Sequence, residues 1–276
     1  MQSITNLLPG GKKKALTLSY DDGVTQDRQL LNILNKYDIK CTFNLNSGLI
    51  KRGYEWHYND VRISKLKIDE LQKTYEGHEI AVHSYNHPHL EILTNDQLVY
   101  EIYEDRKTLE TWFNRPIRGM AYPFGSFNQH VQEVINNLGI EYARTAKSTG
   151  KFDFPNNLLE WNPTSHHDSQ NILELVNSFL KKEPTDLPLL FYLWGHSYEF
   201  EVNNNWGHIE KICSVMANNP DIWYATNQEI VYYYQALKNL KYSLDGNHVY
   251  NPSGLSIWIL KNNHVYKIQP GEVVTL

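Results

Sequence analysis

A short apolar run rich in strand formers, followed by a stretch with helical periodicity, recurs along most of this chain. Ala15-Leu16-Thr17-Leu18-Ser19-Tyr20 reads as a buried strand, and Leu30, Leu31, Ile33 and Leu34 follow at helical spacing within residues 27–37. Residues 41–45, 79–82, 120–122, 140–145, 189–194 and 221–225 read as further strands. Helices are predicted between them over 68–75, 98–113, 128–138, 169–182 and 205–217, with a last one ending near 240. Thr94-x-x-Gln97 and Thr226-x-x-Glu229 carry the capping-box signature of helix starts. Strands alternating with helices specify an α/β fold of parallel strands with right-handed crossovers. Residues 50–66 are polar, include Trp56 and His57, and read as a long loop over one end of the fold.

The texture changes near Lys241. Asp245-Gly246 and Asn262-Asn263 are hairpin-type turns flanked by alternating runs such as Ser256-Ile257-Trp258-Ile259. Residues 1–240 are therefore expected to form the main α/β unit and 241–276 a small β appendage, too short to be stable alone. With 276 residues the chain can bury a sizeable core. A net charge of −5 and no basic cluster beyond Lys12-Lys13-Lys14 argue against nucleic acid as a partner. Nineteen tyrosines and seven tryptophans suit stacking on sugar rings and suit core packing equally. Cys41 and Cys213 lie far apart in hydrophobic runs and are expected to be buried free thiols. The N-terminal stretch has no signal-type hydrophobic core and no segment could span a membrane, so a cytoplasmic protein is expected. A secreted protein whose leader had been removed would read the same. Oligomeric state leaves no trace in the sequence. A Walker-type loop and a Gly-x-Ser-x-Gly elbow are both missing, which leaves nucleotide hydrolysis and serine-esterase chemistry without support.

The polar residues with chemical potential fall where the predicted strands end, at Asp21 and Asp22, His83, Phe124 and His196. That is where barrel enzymes place their chemistry. Two adjacent carboxylates at the mouth of a buried strand repel one another, and a cation removes the cost. Asp22-Gly23 is equally a turn dipeptide. His83 and His87 are four residues apart, and Pro88 biases His87 away from helical geometry, so the pair belongs to a strand-end loop. Either histidine alone would be ordinary polar filler; together with Asp22 they form a His₂-carboxylate set. Three protein ligands leave open positions for water and substrate. A metal there would acidify water and polarise a carbonyl, Asp21 could take the proton, and His196 could serve as general acid. His166-His167 is expected at a solvated helix start, Glu199 in a surface salt bridge or in solvent, and Tyr232-Tyr233-Tyr234 in helix packing.

These residues carry a family likeness. The chain resembles the polysaccharide deacetylases with NodB homology, carbohydrate esterase family four. Their T-F-D-D-G motif is similar to Ser19-Tyr20-Asp21-Asp22-Gly23, and their H-[ST]-x-x-H motif is matched in full by His83-Ser84-Tyr85-Asn86-His87. The resemblance implies a distorted, incomplete (β/α) barrel over about residues 15–230. It further implies Asp21 as base and Asp22, His83 and His87 as metal ligands. Zn²⁺ suits such a set, with Co²⁺, Ni²⁺, Fe²⁺ or Mn²⁺ as alternatives. The R-P-P-Y-G motif aligns with Ala121-Tyr122-Pro123-Phe124-Gly125, so the motif's arginine is Ala121, and Arg118 or Arg144 would have to stand in. By the same resemblance the Phe124 N–H is the oxyanion donor, and Tyr122 is expected to touch substrate. The family's Asp-Trp motif has Trp161 and Asp168 as nearest candidates, with Trp161 lining the acetyl pocket. L-x-[LI]-H appears loosely as Leu193-Trp194-Gly195-His196, which assigns the acid to His196. The implied activity is removal of an acetyl group from an N-acetylated sugar or polysaccharide. The same metal chemistry on an O-acetyl ester or a non-sugar amide, and a non-catalytic carbohydrate-binding protein, are the alternatives.

Overall fold

The computed structural model describes residues 4–185 and 187–276. In chain order the strands are β1 (Thr5–Leu7), β2 (Lys14–Asp21), β3 (Thr42–Leu45), β4 (Glu55–Tyr58), β5 (Val61–Ser64), β6 (Glu79–Val82), β7 (Gly119–Ala121) and β8 (Tyr142–Arg144). They continue with β9 (Ser165–His166), β10 (Leu189–Gly195), β11 (Ile222–Tyr224), β12 (Lys241–Tyr242), β13 (His248–Tyr250), β14 (Ile257–Lys261), β15 (His264–Ile268) and β16 (Val273–Thr275). The helices are α1 (Asp27–Lys36), α2 (Ser47–Lys51), α3 (Leu71–Thr74), α4 (Asn95–Phe113), α5 (Gln129–Asn137), α6 (Ile172–Lys181), α7 (Tyr198–Val202), α8 (Trp206–Met216) and α9 (Asn227–Lys238). Thr94 and Thr226 close their capping boxes with Gln97 and Glu229, as their spacing predicts.

The strands β8-β7-β6-β3-β2-β10-β9 form one parallel sheet, and β11 joins it on β2. The sheet curls without closing, an incomplete (β/α) barrel. Between its ends runs the segment around residues 161–167: Trp161 N–H donates to Ala143 O, and Thr164 N–H to Tyr192 O. Because side chains alternate along a strand, β2 has two unlike faces. Leu16, Leu18 and Tyr20 face outward and pack under the helices with Leu30, Phe43 and Phe191. Thr17, Ser19 and Asp21 face inward, all buried. Their polar atoms are satisfied in the interior: Thr17 donates to Asn227, Asn227 to the Tyr192 hydroxyl, and Asn44 to both Ser19 and Asp21. That inner column leads straight to the end of β2.

Residues 50–66 are more ordered than the polar composition predicts. After the end of α2, β4 and β5 pair antiparallel with Tyr58 opposite Val61. The two-residue turn is Asn59-Asp60, with Asn59 left-handed at φ 52°. The overlooked signal is Tyr54-x-Trp56-x-Tyr58, a period-2 pattern next to a turn pair.

The C-terminal stretch forms two small antiparallel sheets, β12-β13-β16 and β1-β14-β15. The turns at Asp245-Gly246 and Asn262-Asn263 fall between paired strands, and both asparagines of the second have positive φ. The N-terminal β1 pairs with β14, which stitches it to the C-terminal stretch. Val249, Ile257, Ile259 and Ile268 pack on Ile230, Tyr233 and Leu237 of α9. Both cysteines are buried and unpaired. No helix among the described residues is long and apolar enough to cross a membrane.

Candidate metal centre and its surroundings

The carboxyl ends of β2, β6, β7, β8 and β10 deliver their polar residues to one place. Asp21 closes β2, and its carboxylate is held on both oxygens. Arg144, the last residue of β8, donates to Oδ2 at 2.5 Å, and Asn44 donates to Oδ1 at 2.8 Å. Burial alone would raise the Asp21 pKa, but Arg144, then His83 and His196, hold it below the usual carboxylate range. Of the two arginines considered for the missing motif residue, Arg144 is the one at the aspartate. Arg118 instead donates to Gly139 O.

Asp22 turns away from the strand with φ 82°, a left-handed conformation rare outside glycine. Its partner is Lys65, fully buried in its side chain, just beyond β5. Lys65 donates to Asp22 O at 2.5 Å, to Asp22 Oδ1 at 3.3 Å and to Asn46 Oδ1 at 3.1 Å. Burial works against both charges. It lowers the Lys65 pKa outright, while the Lys65 ammonium keeps Asp22 well below the ordinary carboxylate range. No motif announces Lys65, which reads like its neighbour Lys67 as an ordinary surface charge.

His83 follows β6 and is buried. Its Nδ1 lies 2.8 Å from Ala121 O, an acceptor only, so Nδ1 carries the hydrogen and Nε2 presents its lone pair. His87 is reached through a turn in which Ser84 and His87 both have positive φ, 61° and 59°. Burial and the neighbouring His83 push the His87 imidazole down to about 4. Donor atoms of Asp22, His83 and His87 all lie within 4.8 Å of one another. Two neutral imidazoles and one carboxylate, with a backbone carbonyl fixing the His83 tautomer, fit a divalent cation.

Asp105 on α4 braces this region from below, accepting from the backbone N–H of Ser47 at 2.6 Å and of His83 at 3.0 Å. Burial outweighs those bonds and pushes its carboxyl up to about 7. Phe124 stands at the His87 side, left-handed at φ 58° and 57% exposed. Its ring stacks on His89 at 4.0 Å, and its backbone N–H donates to no other group of the chain among the described residues.

A second histidine cluster lies beside the first. His196 follows β10, with Nε2 3.8 Å from Asp21 Oδ2 and Nδ1 3.4 Å from Glu199 Oε1. Burial would lower the His196 pKa, but Glu199 and Asp21 outweigh it and hold the imidazole up at about 9. Glu199 also lies 3.2 Å from His166 Nε2 and 3.3 Å from His167 Nε2. It is thus an internal counter-ion rather than the solvated or surface-paired residue expected from sequence. His166 and His167 likewise depart from a solvated helix start. His166 ends β9, and His167 is fully buried, stacked on Phe200 at 4.1 Å and on Tyr20 at 5.6 Å. A Cβ on Gly195 would fall 2.0 Å from His167 Nδ1. The His167 ring therefore fills the space where an L-x-[LI]-H pattern carries its branched aliphatic residue.

Three atoms of His166, His196 and Glu199 are also close enough together to bracket a cation. The hydrogens argue otherwise. His166 Nδ1 accepts the Asp168 N–H at 3.2 Å, so the neutral ring carries its hydrogen on Nε2, the atom facing Glu199. This cluster is built to share protons.

Two expected substrate contacts are corrected. Tyr122 is 1% exposed, stacked on Phe127, with its hydroxyl donating to Leu159 O. Trp161 is 1% exposed and packs edge-on against Tyr142 and Tyr192 inside the barrel. Strand alternation sends the first outward under the helices, and the second sits deep among interior rings. Asp168 pairs with Asn203 instead of joining Trp161. The indole near the centre is Trp194, whose ring lies 4.4 Å from the Arg144 guanidinium.

Residues 9–143, just under half of the chain, match the model of the polysaccharide deacetylase family. It is 27% identical over 138 residues to chitin deacetylase 1 of Cryptococcus neoformans, covering 49% of this chain and 26% of the fungal protein. Among solved structures, a deacetylase of Streptococcus pyogenes, PplD, in complex with acetate is 27% identical at a TM-score of 0.50, covering 56% of this chain and 65% of that one. Puue allantoinase shares the fold at a TM-score of 0.61 and 12% identity, over 81% of this chain and 91% of its own. The chain spans 26% to 55% of the length of the curated relatives it matches.

Proposed function

We propose that this chain is a metal-dependent hydrolase that removes the acetyl group from an N-acetylated sugar, with Asp22, His83 and His87 as ligands. The carrying observation is the convergence of those three donors within 4.8 Å, beside a carboxylate held ionised by Arg144. When bound, a divalent cation such as Zn²⁺ supplies Lewis acidity and makes water a better nucleophile at neutral pH. Asp21 acts as base. Each of its oxygens already accepts one hydrogen bond and keeps a lone pair for the water's proton. Arg144 keeps that carboxylate ionised, so it is ready at neutral pH.

His196, with Nε2 3.8 Å from Asp21 Oδ2, is protonated at neutral pH, which suits a general acid for the departing amine. Its proton is stabilised by Glu199, which thereby takes the place of the unmatched Asp-Trp motif. The free Phe124 N–H is the donor for the tetrahedral oxyanion. With a base for the water and an acid for the amine, no covalent enzyme intermediate is needed.

The test is elemental analysis of the purified protein and of His83→Ala, alongside acetate release from N- and O-acetylated sugars. Near one divalent metal per chain, lost in the variant together with acetate release, is expected. Acetate release that persists in metal-free protein would overturn the reading, and a preference for O-acetyl esters would redirect it.

A further inference from the structure

We infer that the β4–β5 hairpin and Tyr198 form an aromatic bank that holds the sugar adjoining the one being deacetylated. The inference rests on the centre's acting on acetylated sugars. Tyr54, Trp56 and Tyr58 alternate along one strand and share a face, while Glu55 and His57 take the other. Tyr54 stacks on Trp56 at 5.8 Å, and Tyr198 receives Trp56 edge-on at 5.7 Å and Tyr58 at 6.1 Å. Tyr198 in turn lies 5.2 Å from the His196 ring. The bank thus begins at the proposed acid and runs outward for two further ring contacts.

Packing accounts for part of it. A lone two-stranded hairpin is marginal in water, and Trp56 anchors this one by lying 5.3 Å over the Lys65 ammonium. Since Lys65 also grips Asp22, the bank is fixed in register with the metal ligands. Packing leaves the other rings unexplained: Tyr54 is 47% and Tyr58 51% exposed. Contiguous exposed aromatics running out from a site mark a ligand surface. A pyranose presents one face of weakly positive C–H bonds, which complements the negative face of an aromatic ring. The hydroxyls of both tyrosines remain at the wet edge for the sugar's own hydroxyls. A small cyclic amide or a lone monosaccharide seated at the metal would leave Tyr54 and Tyr58 without a role.

The experiment compares kcat/KM on N-acetylglucosamine with that on its β-1,4- and β-1,6-linked tetramers, for the wild type, Tyr54→Ala/Tyr58→Ala and Tyr54→Phe/Tyr58→Phe. Binding of both tetramers to the zinc-loaded proteins is followed by calorimetry. The wild type is expected to prefer one tetramer, and the alanine pair to lose about tenfold of that preference, mainly in KM. The phenylalanine pair, which keeps the rings, should retain most of it. Equal kcat/KM on monomer and both tetramers, or an undiminished preference in the alanine pair, would overturn the inference. Tetramer binding that depends on the tyrosines without any acetate release would sustain the bank and sink the deacetylase reading instead.

Discussion

Two neighbouring clusters in this molecule are made of the same parts, histidines and carboxylates at strand ends, yet they are wired in opposite senses. At the first, a backbone carbonyl takes the hydrogen of His83 Nδ1, so Nε2 points inward as a lone pair. At the second, a backbone N–H occupies His166 Nδ1, so Nε2 points inward as a donor. One arrangement offers electron pairs to a cation and the other offers protons to Glu199. Counting ligand-type residues would not separate them; the backbone partner of the far nitrogen does. The carboxylates differ in the same way. Asp21 and Asp22 are each neutralised by a buried cation, Arg144 and Lys65, whereas Glu199 faces the imidazoles of His166, His167 and His196 and accepts the His196 backbone N–H.

The sharpest way to break this contrast is Asp21→Asn, which keeps the shape and removes the proposed base. Turnover should fall by roughly 10²–10⁴ while metal content stays unchanged; a variant that still turns over would remove Asp21 from the mechanism. Next in size is the metal itself. His166→Ala should retain the full complement that His83→Ala loses, as read by elemental analysis after dialysis. Loss of metal in His166→Ala would make the second cluster a ligand site after all.

Glu199→Gln probes the proton side. His196 is protonated up to about pH 9, so activity that needs the acid is held below that pH and lost as pH rises through it. Without the Glu199 charge the imidazole pKa falls, and the basic limb of the kcat/KM profile should move to lower pH. A basic limb that stays in place would assign it to another group. The same linkage acts on stability: the His196–Glu199 pair contributes fully below about pH 6.5, the ordinary imidazole value, and its contribution is lost as pH climbs through about 9. The smallest effect is expected at Gly195→Ala, where the new Cβ meets the His167 ring. Overpacking there should cost about 1–3 kcal/mol in chemical denaturation, and an unchanged midpoint would mean that the ring moves aside freely.

Much of this arrangement is legible in the amino-acid sequence. Strand ends identify themselves when an apolar run stops at charged residues, and this locates Asp21, Asp22, His83 and His196. Adjacency along the chain is enough because each of them sits on or just beyond its own strand. Arg144 is only one of two candidates by sequence, since its link to Asp21 crosses the sheet from a strand 123 residues away. Lys65 and Glu199 escape as partners for a related reason: a buried charge looks like a surface charge until its counter-ion is placed. The errors at Tyr122 and Trp161 come from carrying motif positions over without the packing: the pleat turns Tyr122 outward under the helices, and Trp161 sits among interior rings. The left-handed backbones of Asp22, Ser84, His87 and Phe124 are not legible either: Asp and His merely tolerate positive φ better than most residues, and Ser84 and Phe124 give no sign of it. Such conformations cost roughly 1–3 kcal/mol each, and they cluster around the donors.

The pairing of β1 with β14 gives the chain a clasp. Thr5 sits opposite Leu260, Asn6 opposite Ile259 and Leu7 opposite Trp258, contacts that span nearly the whole length of the polypeptide. Tyr233 pins the clasp, its hydroxyl donating to Leu7 O and accepting the Trp258 N–H. Pairings of such long sequence separation close the largest loops and so form late in folding. The first strand thus waits for the last hairpin. Losing β1 or losing the β14–β15 hairpin therefore unfastens the same three-stranded sheet.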